Sequence, residues 1–401
     1  MSHTLQRSTV KSPIGDIEIF TLTNKQGASV TLSSLGAGVI SVRVPDREGR
    51  LDEVSLTYAS PVDFIDDAPA SGKTLGRYAN RIAGAKFRLE SRNVWLEAND
   101  GPNALNGGRN GFQNRLWQVE SAGNSEVIFR RVSEDGEEGY PGRLVVDVRY
   151  RWDNKCRLSV SYEAYTDITT IINLTNNCYW NLRGASSGSS GMLEQELSLK
   201  AVLYLPCNQQ LIPLGPMERV MGTPMDFLKP KPIGQDINAP FDVLALDNGY
   251  NTPFMLDRWW PGTFIEEAAR LYDPVSGRCL TIGTDQPSAL LYTGNHLEAA
   301  PPAPDGTPRQ PHDFVSITMQ GVPDAPNRPH FPHQTLFPED IYRRRIVYTF
   351  SVLYGVISKC IIICRDIPKY VSTDYYTLIR VVNNNESIFF DSIVLFIGII
   401  I

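Results

Sequence analysis

The runs Val145–Trp152, "VVDVRYRW", and Arg157–Tyr162, "RLSVSY", set apolar and polar side chains in alternation. A β-strand points successive side chains to opposite faces, so a period of two marks a strand with one face in a core. Ile17–Thr23, Ala28–Leu32, Val39–Val44, Leu197–Leu205 and Ile346–Leu353 repeat the pattern and are rich in Val, Ile, Tyr and Thr. Turn clusters such as Asp46–Gly49 and Asp135–Gly142 separate the runs. Helical periodicity is scarce, and the stretch around Phe264–Leu271 is too short to shape the fold. The 31 glycines and 28 prolines are spread evenly. These features predict an all-β protein, a large antiparallel β-sandwich with function on loops and inner sheet faces.

Composition narrows the function classes. The 401 residues carry a net charge of -6 and no strong basic block, which argues against a nucleic-acid partner. Met1–Phe20 is polar and mixed, without the apolar core of a signal peptide. Six cysteines (Cys156, Cys178, Cys207, Cys279, Cys360 and Cys364) are too dispersed for a disulfide framework and contain no CxxC pair. Reduced thiols, a cytoplasmic location and no metal site are expected. "GASSGSSG" at Gly184–Gly191 lacks the Lys-Ser/Thr ending of a phosphate loop, so a flexible loop is expected.

The organisation changes near residue 350. Residues 1–350 are expected to form the sandwich, and residues 351–401 a separate apolar tail ending "IFFDSIVLFIGIII". That run is shorter than the ~20 residues of a bilayer span. The tail reads as a non-native extension, an extra packed strand pair, or a weak anchor that would be the chain's one route to membrane contact.

Five ordered segments carry a resemblance. They are Gly76–Ile82 "GRYANRI", Asn99–Gly108 "NDGPNALNGG" with Gly111-Phe112 and Trp117, Gly136–Gly142 "GEEGYPG", Asn173–Leu182 "NLTNNCYWNL" and Pro323–Pro332 "PDAPNRPHFP". Weaker matches are Gly222–Phe227 "GTPMDF" and Tyr292–Asn295 "YTGN". Spanning Phe20 to Phe350, the set resembles the aldose 1-epimerase (galactose mutarotase) family. The resemblance implies a large β-sandwich with a sugar in an open cleft on one sheet, and exchange of hexose anomers without metal or cofactor. It also implies a base for the anomeric hydroxyl and an acid for the ring oxygen, on opposite sides of one C–O bond.

The family's acid, base and second histidine fall here on Asn177, Thr318 and Asn106. Its sugar-binding aspartate and the histidine after it fall on Asn251 and Thr252, and a sugar-binding glutamine on Leu290. Asn80 and Arg81 match positions that the resemblance implies as sugar contacts. Cys178, Tyr179, Trp180 and Gln320 complete the substrate-binding set that the resemblance implies. None of the replaced positions ionises near neutrality. Each missing acid–base partner is worth roughly 100- to 10,000-fold in rate, so hexose anomer exchange is expected to be weak or absent. Leu290 and Trp180, where phenylalanine is usual, suggest a cleft for something less polar than galactose.

Plainer readings stand beside these. Arg81 can be an ordinary ion-pair residue, Asn106 and Asn177 turn residues, Glu137 and Glu138 loop-shaping charges, and Trp180 a core residue. The Asn173-Leu-Thr sequon lies in an expected strand of a chain without a secretion signal. Among His3, His296, His312, His330 and His333, only His296 adjoins a cleft segment, as a substitute acid or an ordinary rim residue. Four functions follow. The first is an enzyme repurposed to isomerise or cyclise a small, less polar metabolite in specialised metabolism. The others are a non-catalytic carbohydrate-binding pseudoenzyme, a hexose mutarotase with relocated acid and base, and a decayed gene product.

Overall fold

The alternating runs become two-faced strands in the computed structural model. It describes residues 3–354 and two further short strands, Val381–Asn383 and Glu386–Ile388, which pair with each other. Leu144–Trp152 pairs antiparallel with Arg157–Thr166, Val148 opposite Tyr162. Val146, Val148, Tyr150 and Trp152 on the first, and Leu158, Val160, Tyr162 and Ala164 on the second, are buried, while Arg149, Arg151 and Glu163 are exposed. These two strands sit inside a nine-stranded sheet that also holds Glu126–Ser133, Tyr342–Val352, Arg278–Thr284 and Ile265–Tyr272.

A six-stranded sheet packs against it. Its order is Tyr179–Trp180, Val315–Gln320, Ser288–Tyr292, Asn251–Met255, Leu203–Tyr204 and Glu218–Arg219. The amino-terminal strands from Thr4–Ser12 to Leu51–Glu53 form a five-stranded meander. One continuous core takes Val146, Tyr348 and Ile282 from the nine-stranded sheet, Ile317, Leu291 and Phe254 from the six-stranded sheet, and Phe20, Leu32 and Val42 from the meander. The fold is an all-β sandwich, as the alternation predicts.

Local readings differ in places. The stretch around Phe264–Leu271 is strand Ile265–Tyr272, which buries Ala268, Ala269 and Leu271 across a register shift and pairs with Arg278–Thr284. Leu197–Leu205 is not one strand. Glu196–Leu199 belongs to the nine-stranded sheet and Leu203–Tyr204 to the six-stranded one, so the chain crosses between layers at Lys200–Val202. Gly184–Gly191 runs into a short helix, Gly188–Leu193, and Asn181 Nδ2 donates to Gly188 O at 3.1 Å, so a flexible loop is replaced by an anchored turn.

Cys178 and Trp180 are corrected too. Alternation through Cys178-Tyr179-Trp180 sends Cys178 and Trp180 into the main core and Tyr179 to the opposite face, where it is 4% exposed in a second apolar cluster with Tyr58 and Phe64. The Trp180 ring packs 5.2 Å from Tyr348 and 5.4 Å from Phe350, between the sheets. Neither side chain can touch a ligand on the open face. Cys156, Cys178, Cys207 and Cys279 are buried and unpaired.

By internal contacts the chain divides into Met1–Gly355 and Val356–Ile401. The extension, packed-pair and anchor readings of the tail, with Cys360 and Cys364, lie outside the described residues. Among the described residues no helix is long and apolar enough to cross a membrane.

Truncating a fully buried aromatic removes its transfer free energy and leaves a cavity. Trp180→Ala is therefore expected to lower unfolding free energy by about 3–5 kcal/mol in urea titrations. A loss below about 1 kcal/mol would place Trp180 at a solvated surface.

Candidate active site on the open sheet face

Every second residue of the six-stranded sheet points away from the core. Val315, Ile317, Met319, Ala289, Leu291 and Phe254 face inward. The opposite face presents Ser316, Thr318 and Gln320, then Ser288, Leu290 and Tyr292, then Asn251, Pro253 and Met255. Register completes the map: Leu290 lies between Thr318 and Pro253, and Tyr292 between Ser316 and Asn251. The fold thus gathers Thr318, Leu290 and Asn251 on one surface, and the segment leading into Tyr179 brings Asn177 beside them.

Asn177 and Thr318 touch. Thr318 Oγ1 lies 3.2 Å from Asn177 Oδ1, Ser316 Oγ lies 3.4 Å from the same oxygen, and the two hydroxyls are 2.8 Å apart. Two hydroxyl hydrogens serve three contacts, so at most two form at once. On its other side Asn177 Nδ2 donates to Pro69 O at 2.8 Å. The amide is held from both ends and no member of the group ionises near neutrality.

Behind Asn177 lies a buried ionic cluster. Backbone bonds from Asn177 N to Lys73 O and from Gly72 N to Asn177 O join it to segment 67–73. There Lys73 Nζ stands 3.7 Å from Asp67 Oδ2, the two side chains being 1% and 0% exposed. Tyr58 donates its hydroxyl to Asp67 Oδ1 at 2.6 Å, Ser71 N donates to Asp67 Oδ2, and Lys73 Nζ donates to Phe64 O. Burial pushes the Asp67 carboxyl up, against the pull of Lys73, and pushes the Lys73 ammonium down. This cluster fixes the Pro69 carbonyl that holds Asn177.

The "GRYANRI" and "NDGPNALNGG" segments meet at one rim. Asn80 and Asn106 both adopt left-handed backbone, φ 66 and 51°. Asn80 N donates to Asn106 Oδ1 at 2.8 Å, and Asn106 N to Asn80 O at 3.1 Å. The Asn106 side-chain oxygen therefore braces a turn. Gly107 allows the approach, because a Cβ there would lie 1.9 Å from Gly76 O. Arg81 Nε donates to Asp100 Oδ2 at 2.7 Å in a partly buried ion pair. Burial raises the nearby Cys207 thiol to about 12, although the Arg81 charge pulls the other way. Asn173, buried, donates to Ala79 O and accepts from Gly321 N, tying this rim to the Val315–Gln320 strand.

The far rim carries groups that the family positions do not include. Asp247 Oδ2 accepts from Asn251 Nδ2 at 2.8 Å and from Asn295 Nδ2 at 3.1 Å, while His296 Nε2 lies 2.7 Å from Asp247 Oδ1. His296 N donates to Tyr292 Oη at 3.2 Å, and the Tyr292 ring stands edge-on to Tyr179 at 6.0 Å. Burial pushes the Tyr292 phenol up to about 12, so its hydroxyl keeps its proton. Residue 251 carries an amide, and the carboxylate of Asp247, four residues earlier, is bonded to it.

The whole architecture has counterparts. The family model for aldose 1-epimerase matches residues 18–349. The chain belongs to the aldose 1-epimerase family. Galactose mutarotase of Sus scrofa is 37% identical over 341 residues, covering 85% of this chain and 96% of that protein. Aldose 1-epimerase of Escherichia coli (strain K12) is 33% identical over 335 residues, covering 83% and 94%. Two solved structures share the fold. A GalM/aldose epimerase homologue from C. elegans has TM-score 0.76 and 28% identity, covering 87% of this chain and 100% of that one. Galactose 1-epimerase from Lactobacillus acidophilus has TM-score 0.75 and 27% identity, covering 88% and 100%.

Within this aldose 1-epimerase scaffold, Asn177, Thr318, Leu290 and Asn251 share one sheet face, Thr318 buried and the other three partly buried, with Asn80, Asn106 and Arg81 at a rim. Gln320 is 1% exposed and its Nε2 has no hydrogen-bond partner. Sequence reading missed Ser316, Tyr292 and Asp247. Ser316 was within reach, since residues two apart on a strand share a face. Asp247 was not, because the turn at Asn248-Gly249 folds it back onto Asn251.

Removing one member of a buried ion pair strands the other charge, at about 3–5 kcal/mol. Asp67→Asn and Lys73→Met are each expected to cost that much in chemical denaturation. The double variant is expected to cost clearly less than their sum, because the two changes share one interaction. Additive losses would mean that the two groups do not interact.

Proposed function

We propose that this chain keeps the family's type of reaction, reversible opening and closing of a cyclic hemiacetal, on a small metabolite with fewer hydroxyls than a hexose. An isomerisation or cyclisation in specialised metabolism fits that substrate class. The carrying observation is the direct contact of Thr318 Oγ1 with Asn177 Oδ1 at 3.2 Å. In a working hexose site the acid and base stand apart with the C–O bond between them. Here the matching positions bond to each other and carry no titratable proton.

The floor beside them supports the same reading. Leu290, Pro253 and Met255 offer a sugar hydroxyl no partner, and an unpaired buried hydroxyl costs about 1–3 kcal/mol. A second reading, a carbohydrate binder without turnover, draws support from the self-satisfied Asn177–Thr318 contact.

Exchange NMR separates these readings. D-glucose and D-galactose are expected to exchange anomers near the buffer rate, while 2-hydroxytetrahydropyran exchanges with its open aldehyde faster than in buffer. Efficient hexose exchange would overturn the substrate assignment. Hexose binding without acceleration of any probe would establish the second reading. The variant Asn177→His/Thr318→Glu is expected to raise galactose exchange above wild type, by up to ~100-fold if one acid–base contribution returns.

A further inference from the structure

Asp247, Asn251, Tyr292, Asn295 and His296 form a hydrogen-bonded group at one end of the open face, none of them at a position matching the family's acid or base. The Asp247 carboxylate is fixed by two amides and holds one imidazole nitrogen, the arrangement of a base with its orienting group. With Nε2–H donated to Asp247, His296 Nδ1 carries a lone pair. Its neighbour Glu298 Oε1, at 3.9 Å, is beyond hydrogen-bond reach. The His296 side chain is 55% exposed, so the imidazole stands half in solvent at the rim.

The group is also joined to the cleft. Asp247 grips Asn251, the match to the family's sugar-binding aspartate, through its second oxygen. The His296 backbone is bonded to Tyr292, whose ring packs on Tyr179 next to Asn177.

We propose that His296 is a catalytic base of this cleft and Asp247 the residue that positions it, which rests on the hemiacetal reading above. His296 Nδ1 takes the proton of the anomeric hydroxyl. The O–H electron pair becomes the second bond of the aldehyde C=O, and the bond from that carbon to the ring oxygen breaks. The ring oxygen keeps that electron pair and takes a proton from water at the exposed rim. The imidazolium, flanked by the Asp247 and Glu298 carboxylates, then returns its proton to solvent. Closure reverses each step.

Two measurements on the full-length protein test this. In 15N-resolved imidazole spectra, neutral His296 is expected as the Nε2–H tautomer, and Asp247→Asn is expected to erase that preference. A mixture like free histidine in the wild type would overturn the pairing. In exchange NMR with 2-hydroxytetrahydropyran, His296→Asn is expected to lose at least ~10-fold in rate with unchanged thermal unfolding. Asp247→Asn is expected to lose less, and His333→Asn, at an exposed histidine outside the cluster, nothing. Wild-type acceleration that survives His296→Asn sinks the base assignment and leaves the hemiacetal reading standing. A wild type that accelerates none of the hemiacetals sinks both.

Discussion

The site depends on a two-residue period held in place by a shared core. Val315, Ile317 and Met319 are locked inward by packing against the nine-stranded sheet, so Ser316, Thr318 and Gln320 must face outward. A slip of one residue would turn two hydroxyls and an amide into the apolar core and set three apolar side chains among the polar groups of the other face, at several kcal/mol. Packing that never touches a ligand therefore decides which groups the cleft presents.

Polar satisfaction then decides what those groups do. An amide between a fixed carbonyl and two hydroxyls is a settled structural unit, and so is the Asn80–Asn106 clasp. By contrast, the far rim keeps an imidazole half in water beside a well-anchored carboxylate. The open face has a quiet centre and a titratable edge.

Much of this was legible in the letters. Alternation in Val145–Trp152 and Arg157–Tyr162 announced two-faced strands, and the ordered motifs matched Asn177, Thr318, Leu290 and Asn251 to the family's site positions. Other features were hidden because they are tertiary. Trp180 stood between a ligand platform and a core residue until its parity on a two-residue strand turned it inward. Ile265–Tyr272 is too short for its period to be read alone, and pairing with Arg278–Thr284 settles it as a strand. Lys73 and Asp67 lie six residues apart in an unremarked segment, and only burial makes them partners.

The crossing at Lys200–Val202 bears on how this scaffold can change. One continuous stretch feeds both layers of the sandwich, with Lys200 N bonded to Ala268 O on one side and Asp257 N bonded to Lys200 O on the other. Sliding one layer past the other would tear that seam. New specificities must therefore arise by exchanging side chains on a stationary platform or by reshaping the loops around it, as a workbench is refitted by changing its tools and not its legs.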